Sequence, residues 1–224
     1  MARPRRPAEK PTKDRLLETA LEEFAARGFD GAKVDRIVRR ARVNKAMLYY
    51  HFPSKAALYL AILQQQFGEV GEAVSVSRVP GLAPEEQLRR FIVAIAREAI
   101  ARPFFPPIWL REIAEGGRHV DTTVVMALRR VLETLGAILH EGEKAGVFKP
   151  SNPLVIQISI VAPVMFFAAS APFRERVAKL VPPQVPKPDL ETMIAHVQAA
   201  TLAVLSSSPW PPPPPSSSVR RTVR

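Results

Sequence analysis

Apolar residues recur three and four positions apart along almost the whole chain, and the runs they form are stopped by glycine and proline. That spacing puts an apolar stripe on a helix, and no alternating run is present from which to build a strand. Leu16, Leu17, Ala20, Leu21 and Phe24 define a first helix with Gly28 as its stop. Val34, Ile37, Val38 and Ala41 define a second, short one whose other face carries Asp35, Arg36, Arg39 and Arg40. Asn44 is a good N-cap for a third helix ending at Phe52 and Pro53, and Ser54 caps a fourth that reaches about Gln66. Beyond Pro80 the same pattern predicts five more, the last two running from Pro153 to about Phe173 and from Pro188 to Leu205. The expectation is an all-α protein of about nine helices.

Segment by segment, residues 1–11 read as a flexible basic arm and 12–60 as a three-helix unit. Residues 61–205 read as a larger helical domain and 206–224 as a Pro/Ser-rich tail expected to be disordered. With 47% hydrophobic and 24% charged residues in a chain of 224, a sizeable core can form.

The net charge of +11 points to a polyanionic partner. Its location says more: residues 1–60 hold 14 basic and 7 acidic side chains, so the excess concentrates in the first quarter. A generally basic surface is the competing explanation, because arginine also outnumbers lysine elsewhere. The lack of cysteine excludes disulfides, thiolate nucleophiles and zinc–cysteine sites, and is compatible with a cytoplasmic protein. The N-terminus is charged but is followed by an amphipathic pattern, unlike a secretory signal. The apolar run 154–171 is barely long enough for a membrane span and is interrupted by Gln157, Ser159 and Pro163, so a buried or interface helix is expected. His51, His119, His140 and His196 share no metal-ligand spacing, and neither a glycine-rich phosphate loop nor a nucleophile elbow occurs, so no enzyme, metal or cofactor is expected.

Two short helices separated by a few residues have the dimensions of a helix-turn-helix, with the second as the reader of DNA. Six of the thirteen residues from Lys33 to Lys45 are basic, against one acid. Leu48 and Phe52 are one turn apart and face inward with Val43, which distributes Lys45, Tyr49, Tyr50 and His51 around the rest of the circumference. A helix this short cannot bury Tyr-Tyr-His together.

The run from Leu16 to Ile62 resembles the DNA-binding domain of the TetR family of bacterial transcriptional regulators. The resemblance rests on Ala20, Phe24 and Gly28 at four-residue spacing, on Ile37, and above all on Leu48-Tyr49-Tyr50-His51-Phe52-Pro53-Ser54-Lys55 followed by Leu58. It implies a homodimer with paired helix-turn-helix heads on a double-stranded, palindromic operator, and a ligand cavity in the C-terminal domain whose occupation relieves repression. Tyr49 and Lys55 resemble phosphate-contacting residues, while Lys45, Met47, Tyr50 and His51 match positions facing the groove or its edge. For Tyr49, packing against the first helix is the alternative. Lys33 adds a cation near phosphate, and Asn44 opens the reading helix. Three positions depart from the family pattern: Ala32-Lys33 replaces the usual serine or threonine cap, Arg42 the turn glycine and Ala46 another glycine. A positive φ at Arg42 would cost about 1 kcal/mol.

The C-terminal domain is richer in aromatics, and a small, largely apolar effector is the expected ligand. Phe91, Ile95, Phe105, Trp109, Arg111 and Met126 are the candidate pocket residues, with Trp109 as a wall and Arg111 as a polar anchor, although aromatics at helical spacing equally make plain core. The last two helices need a partner surface, and by resemblance they form the intersubunit four-helix bundle. Ile156, Ile160, Val164 and Phe167 on the first, with Met193, Val197 and Val204 on the second, are the candidate dimer contacts. Pro163 is expected to kink the first of these helices unless its neighbours absorb the missing hydrogen bond. A non-specific architectural DNA-binding dimer without a ligand is the rival function.

Overall fold

A computed structural model describes residues 10–180 and 188–206 of the protein. The expected arm, apart from Lys10 and Pro11, and the expected tail beyond Ser206 lie outside the described residues. Within them ten helices are present: α1 (Thr12–Gly31), α2 (Val34–Ala41), α3 (Lys45–His51), α4 (Lys55–Ser75) and α5 (Pro84–Ala101), then α6 (Phe105–Ala114), α7 (Thr122–Lys144), α8 (Pro153–Ala169), α9 (Ala171–Ala178) and α10 (Leu190–Leu205). The chain is all-α, as the periodicity predicts.

The tenth helix arises from a break. Pro163 leaves α8 continuous, and the chain turns at Ser170, where α8 and α9 meet at 56°. Pro172 accounts for the position of the break: it lacks the N–H that would continue α8, whereas the first turn of a new helix needs no such donor. Taken alone, none of the described helices is long and apolar enough to cross a membrane, and α8 and α9 pass that test only as a bent pair.

Short polar side chains start the helices where the sequence places them. Asn44 Oδ1 accepts the Met47 N–H at 2.8 Å, Ser54 Oγ accepts that of Ala57 at 3.0 Å, and Asp121 and Asp189 cap α7 and α10 in the same way. Leu16, Ala20 and Phe24 of α1 pack with Ile37 of α2 and Leu48 of α3 in a small apolar head. α4 runs without interruption from that head into the body, passing through the boundary expected at residue 60. In the body α4 and α5 pack on α7, and α8 and α10 close the far side. Phe148 fills the space over Gly142, where an added Cβ would sit 2.0 Å from the ring, so α7 admits only glycine at that point. The next residue, Lys149, donates its N–H to the Leu205 carbonyl at 2.9 Å and fastens the end of α10.

Candidate nucleic-acid interface and effector cavity

α2 and α3 are joined by Arg42, Val43 and Asn44, with Arg42 in the left-handed region at φ 55°, ψ 44°. Here the Arg42 N–H reaches the Arg39 carbonyl at 3.2 Å and the Val43 N–H reaches that of Val38 at 3.0 Å, closing the end of α2. The strain expected from a non-glycine residue is therefore present in the fold. The weak cap at the start of α2 is offset from a distance. Glu23 of α1, 2% exposed, accepts the Lys33 N–H at 3.4 Å and pairs with Arg36 at 3.2 Å. A buried carboxylate at a helix N-terminus is favoured by the helix dipole, so it does part of the work of the missing serine.

α3 is held from behind and open in front. Leu48 is fully buried and Phe52 nearly so, whereas Tyr50 is 81% exposed, and Met47 and Tyr49 are also exposed. Tyr50 stands edge-on to His51, with ring centroids 5.2 Å apart. Lys45 is exposed but engaged: its Nζ lies 2.9 Å from Asp35, whose hydrogen bond and charge raise the Lys45 pKa above the ordinary value. Lys33 is exposed at the start of α2, and the Asn44 side chain is used as the α3 cap. Lys55 is engaged within the head. Its ammonium donates to the Phe29 carbonyl at 2.9 Å and the Ala32 carbonyl at 3.3 Å and lies 4.4 Å from the centre of the Phe29 ring. Partly buried, it closes the C-terminal end of α1, a structural role alongside the phosphate contact that the family pattern implies.

Behind this surface, head and body meet along α6. At Gly28, φ is 68° and ψ 178°, so α1 leaves helical geometry there and exposes carbonyls to a donor. Arg111 supplies one, Nη1 reaching the Phe24 oxygen at 3.2 Å, with its Cδ so close that a Cβ on Gly28 would come within 3.0 Å. Its neighbour Glu112 is 1% exposed and accepts from the Tyr59 hydroxyl at 3.0 Å and from the His119 N–H at 2.8 Å. Burial pushes the Glu112 carboxyl up, but these donors and the His119 ring outweigh it and hold the pKa below the ordinary carboxylate value. Burial, with Glu112 beside it, drives the Tyr59 phenol the other way, far above its usual range. Phe29 packs on His119 with ring centroids 4.0 Å apart, and Arg118 pairs with Asp30 at 2.6 Å. The body thus grips the end of α1 through Arg111, Arg118 and His119, while Glu112 ties His119 to Tyr59 of α4.

Two residues before Arg111, Trp109 faces the opposite way. With Phe67, Ile95, Phe105, Gln157 and Met165 it lines a cavity of about 60 Å³ in the middle of the body. Phe105 and Trp109 both stand edge-on to Phe67, at 4.9 Å and 4.7 Å between centroids. Three of the expected pocket residues, Ile95, Phe105 and Trp109, meet here. The other three do not. Arg111 is bound to α1, Met126 lies on an outer groove beside Arg129 and Arg130 and is 49% exposed, and Phe91 is fully buried core. In each case the residue type suited a pocket but the helix turned it elsewhere.

Residues 16–62 match the model of the bacterial regulatory proteins of the tetR family, and residues 84–181 match that of the tetracyclin repressor-like C-terminal domain, together more than half of the chain. The chain belongs to the TetR family. It is a DNA-binding transcriptional regulator, in a family of regulators rather than enzymes. Among its relatives, the HTH-type transcriptional repressor NicS of Pseudomonas putida is 26% identical over 70% of this chain and 74% of its own length. The HTH-type transcriptional regulator RutR of Escherichia coli is 27% identical over 74% of this chain and 77% of its own. A crystal structure of a tetR-family regulatory protein from Rhodococcus shares the fold, with a TM-score of 0.73 at 16% identity, covering 90% of this chain and all of that one.

For a TetR-family body, the exposure of α8 and α10 revises the expected dimer contacts. Ile156, Ile160, Val164 and Val197 are at most 3% exposed and face their own protomer's core. Met193 is partly buried against that core, and Phe167 is covered by the Arg174 guanidinium at 3.8 Å. Val204 is exposed as expected. The outer stripe consists instead of Leu154, Val155, Ile158, Ala162 and Phe166 on α8, beside Ala199, Ala200, Ala203 and Val204 on α10. Sequence reasoning also missed Gln157, Glu112 and Tyr59. Gln157 carried a usable signal, a lone amide inside an apolar helix, but it reads more simply as an interruption of that helix. Glu112 and Tyr59 carried none, since 53 residues separate them.

Proposed function

We propose that this TetR-family protein is a homodimeric repressor that reads a palindromic operator through α3 and is released from it by a small, largely apolar molecule bound in the body. The observation that carries the reading is the two-sided use of α6. Trp109 walls the cavity while Arg111, two residues on, holds the end of α1 and Glu112, three residues on, holds Tyr59 of α4. Ligand sites of drug-like size occupy roughly 300–1,000 Å³. A cavity of about 60 Å³ must therefore widen to be filled, and a rigid α6 carries that displacement to the head. DNA affinity would come from the basic head, with Lys33, Asn44, Lys45, Met47, Tyr49, Tyr50 and His51 as the contacting set. The apolar stripe of α8 and α10 is too extensive to remain solvated and supplies the dimer face.

Replacing Trp210, which lies outside the described residues, by phenylalanine leaves Trp109 as the single tryptophan. A molecule that lowers operator affinity should then change Trp109 emission and should itself bind more weakly, by the same factor, when operator is present. Release of DNA with Trp109 emission unchanged would place the effector site elsewhere.

A further inference from the structure

The cavity contains one feature that an apolar ligand alone does not explain. The Gln157 side-chain oxygen is buried and has no hydrogen-bond partner among the described residues. Such an atom in a protein interior costs free energy comparable to a lost hydrogen bond, so it calls for a reason. Of the three other buried oxygens of this kind among the described residues, that of Gln66 borders a separate groove lined by Lys10, Asp14 and Glu18, and two have local reasons. Gln87 uses its amide nitrogen to bond Leu82 and Glu141, and Glu98 belongs to a carboxylate paired with Arg102. Gln157 lies instead among Phe67, Phe105, Trp109, Val161 and Met165, and among the described residues no ionisable side chain lines the space. Its helix offered an alternative: Ile158 and Ser159 point outward, where a polar side chain would be solvated.

We propose that Gln157 is the specificity-determining residue of the effector site and that the effector class is a neutral aromatic molecule carrying one hydrogen-bond donor at its edge. This inference rests on the reading of the cavity as the effector site. The donor follows from the unpartnered carbonyl, which accepts from a hydroxyl or N–H. Neutrality follows from the lining: a carboxylate or ammonium would lose its hydration with no opposite charge to meet it. Aromaticity follows from the perpendicular arrangement of Phe67, Phe105 and Trp109, which presents ring faces and edges to a planar guest. Met165, unbranched and flexible, is the side chain best able to move aside as the guest enters.

Fluorine NMR titration of the full-length protein with 4-fluorophenol, 4-fluorotoluene and 4-fluorobenzoate tests this. The first two differ by a hydroxyl in place of a methyl of similar size, so the ratio of their dissociation constants, compared between the wild type and Gln157→Leu, cancels their differing hydrophobicity. That ratio should move toward the toluene by on the order of tenfold in Gln157→Leu, the worth of one buried hydrogen bond. Benzoate should bind neither protein. An unchanged ratio would overturn the role of Gln157 while leaving the cavity as the site. Binding of the benzoate as tight as that of the phenol would overturn the neutral class. Met165→Ala enlarges the cavity, so failure of all three compounds to bind both this variant and the wild type would refute the effector site itself.

Discussion

α3 and α8 both carry apolar and aromatic side chains, and they hide them in opposite ways. On α3 only Leu48 is buried, and Lys45, Tyr49, Tyr50 and His51 mark most of the other positions, so the pattern of residue types largely tells inside from outside. α8 is apolar on every side apart from Gln157 and Ser159, with Ile160 fully buried and Ile158 57% exposed two residues away. Periodicity identifies a helix, but its phase comes from the contrast between apolar and polar faces, and α8 offers almost none. A helix that is apolar all round has two buried faces, here one toward its own protomer and one, on this account, toward the partner.

The sharpest way to break that comparison is to place the same charge on both sides of α8. Val164→Asp puts a carboxylate into the protomer core and should lower stability by about 3 kcal/mol or more, measured by denaturant unfolding. Ile158→Asp should leave the helical content unchanged and yield a monomer by sedimentation, with operator binding lost. A dimeric Ile158→Asp protein would put the interface on another face.

Lys55 sharpens the comparison within the head. Lys55→Met keeps an apolar stem over Phe29 but removes the bonds to the Phe29 and Ala32 carbonyls, and should cost about 1.5–3 kcal/mol of stability. The slope of log affinity against log salt should stay as in the wild type; a drop of about one unit would add the phosphate role that the family pattern implies for this lysine.

The head was legible because its signals are local. Asn44 and Ser54 cap helices within three residues of themselves, and the Leu48 to Lys55 run spans a single helix and its turn. The body was legible as helices but not as a site, because what decides a site there is which way a helix is rotated. Arg111 reads as a pocket anchor until the break at Gly28 exposes the Phe24 carbonyl to it. Phe105, Trp109 and Gln157 come together from α6 and α8, with no sequence spacing to announce it. Arg42 is the opposite case, a departure from the family pattern whose consequence was local and could be read in advance. Arg42→Gly should raise stability by about 1 kcal/mol without altering operator preference, the smallest effect expected here.

The central claim is that α3 gives this regulator a sequence-specific, two-fold grip on DNA rather than a merely electrostatic one. Selection of bound duplexes from a random-sequence pool, at fixed salt, tests it most directly. The account predicts enrichment of an inverted repeat with half-site centres about 34 Å apart, or a multiple of that, and a changed half-site when Tyr50→Ala protein is used. Retention of DNA without enrichment of any sequence, and with the same outcome for Tyr50→Ala, would contradict it and leave a non-specific architectural binder.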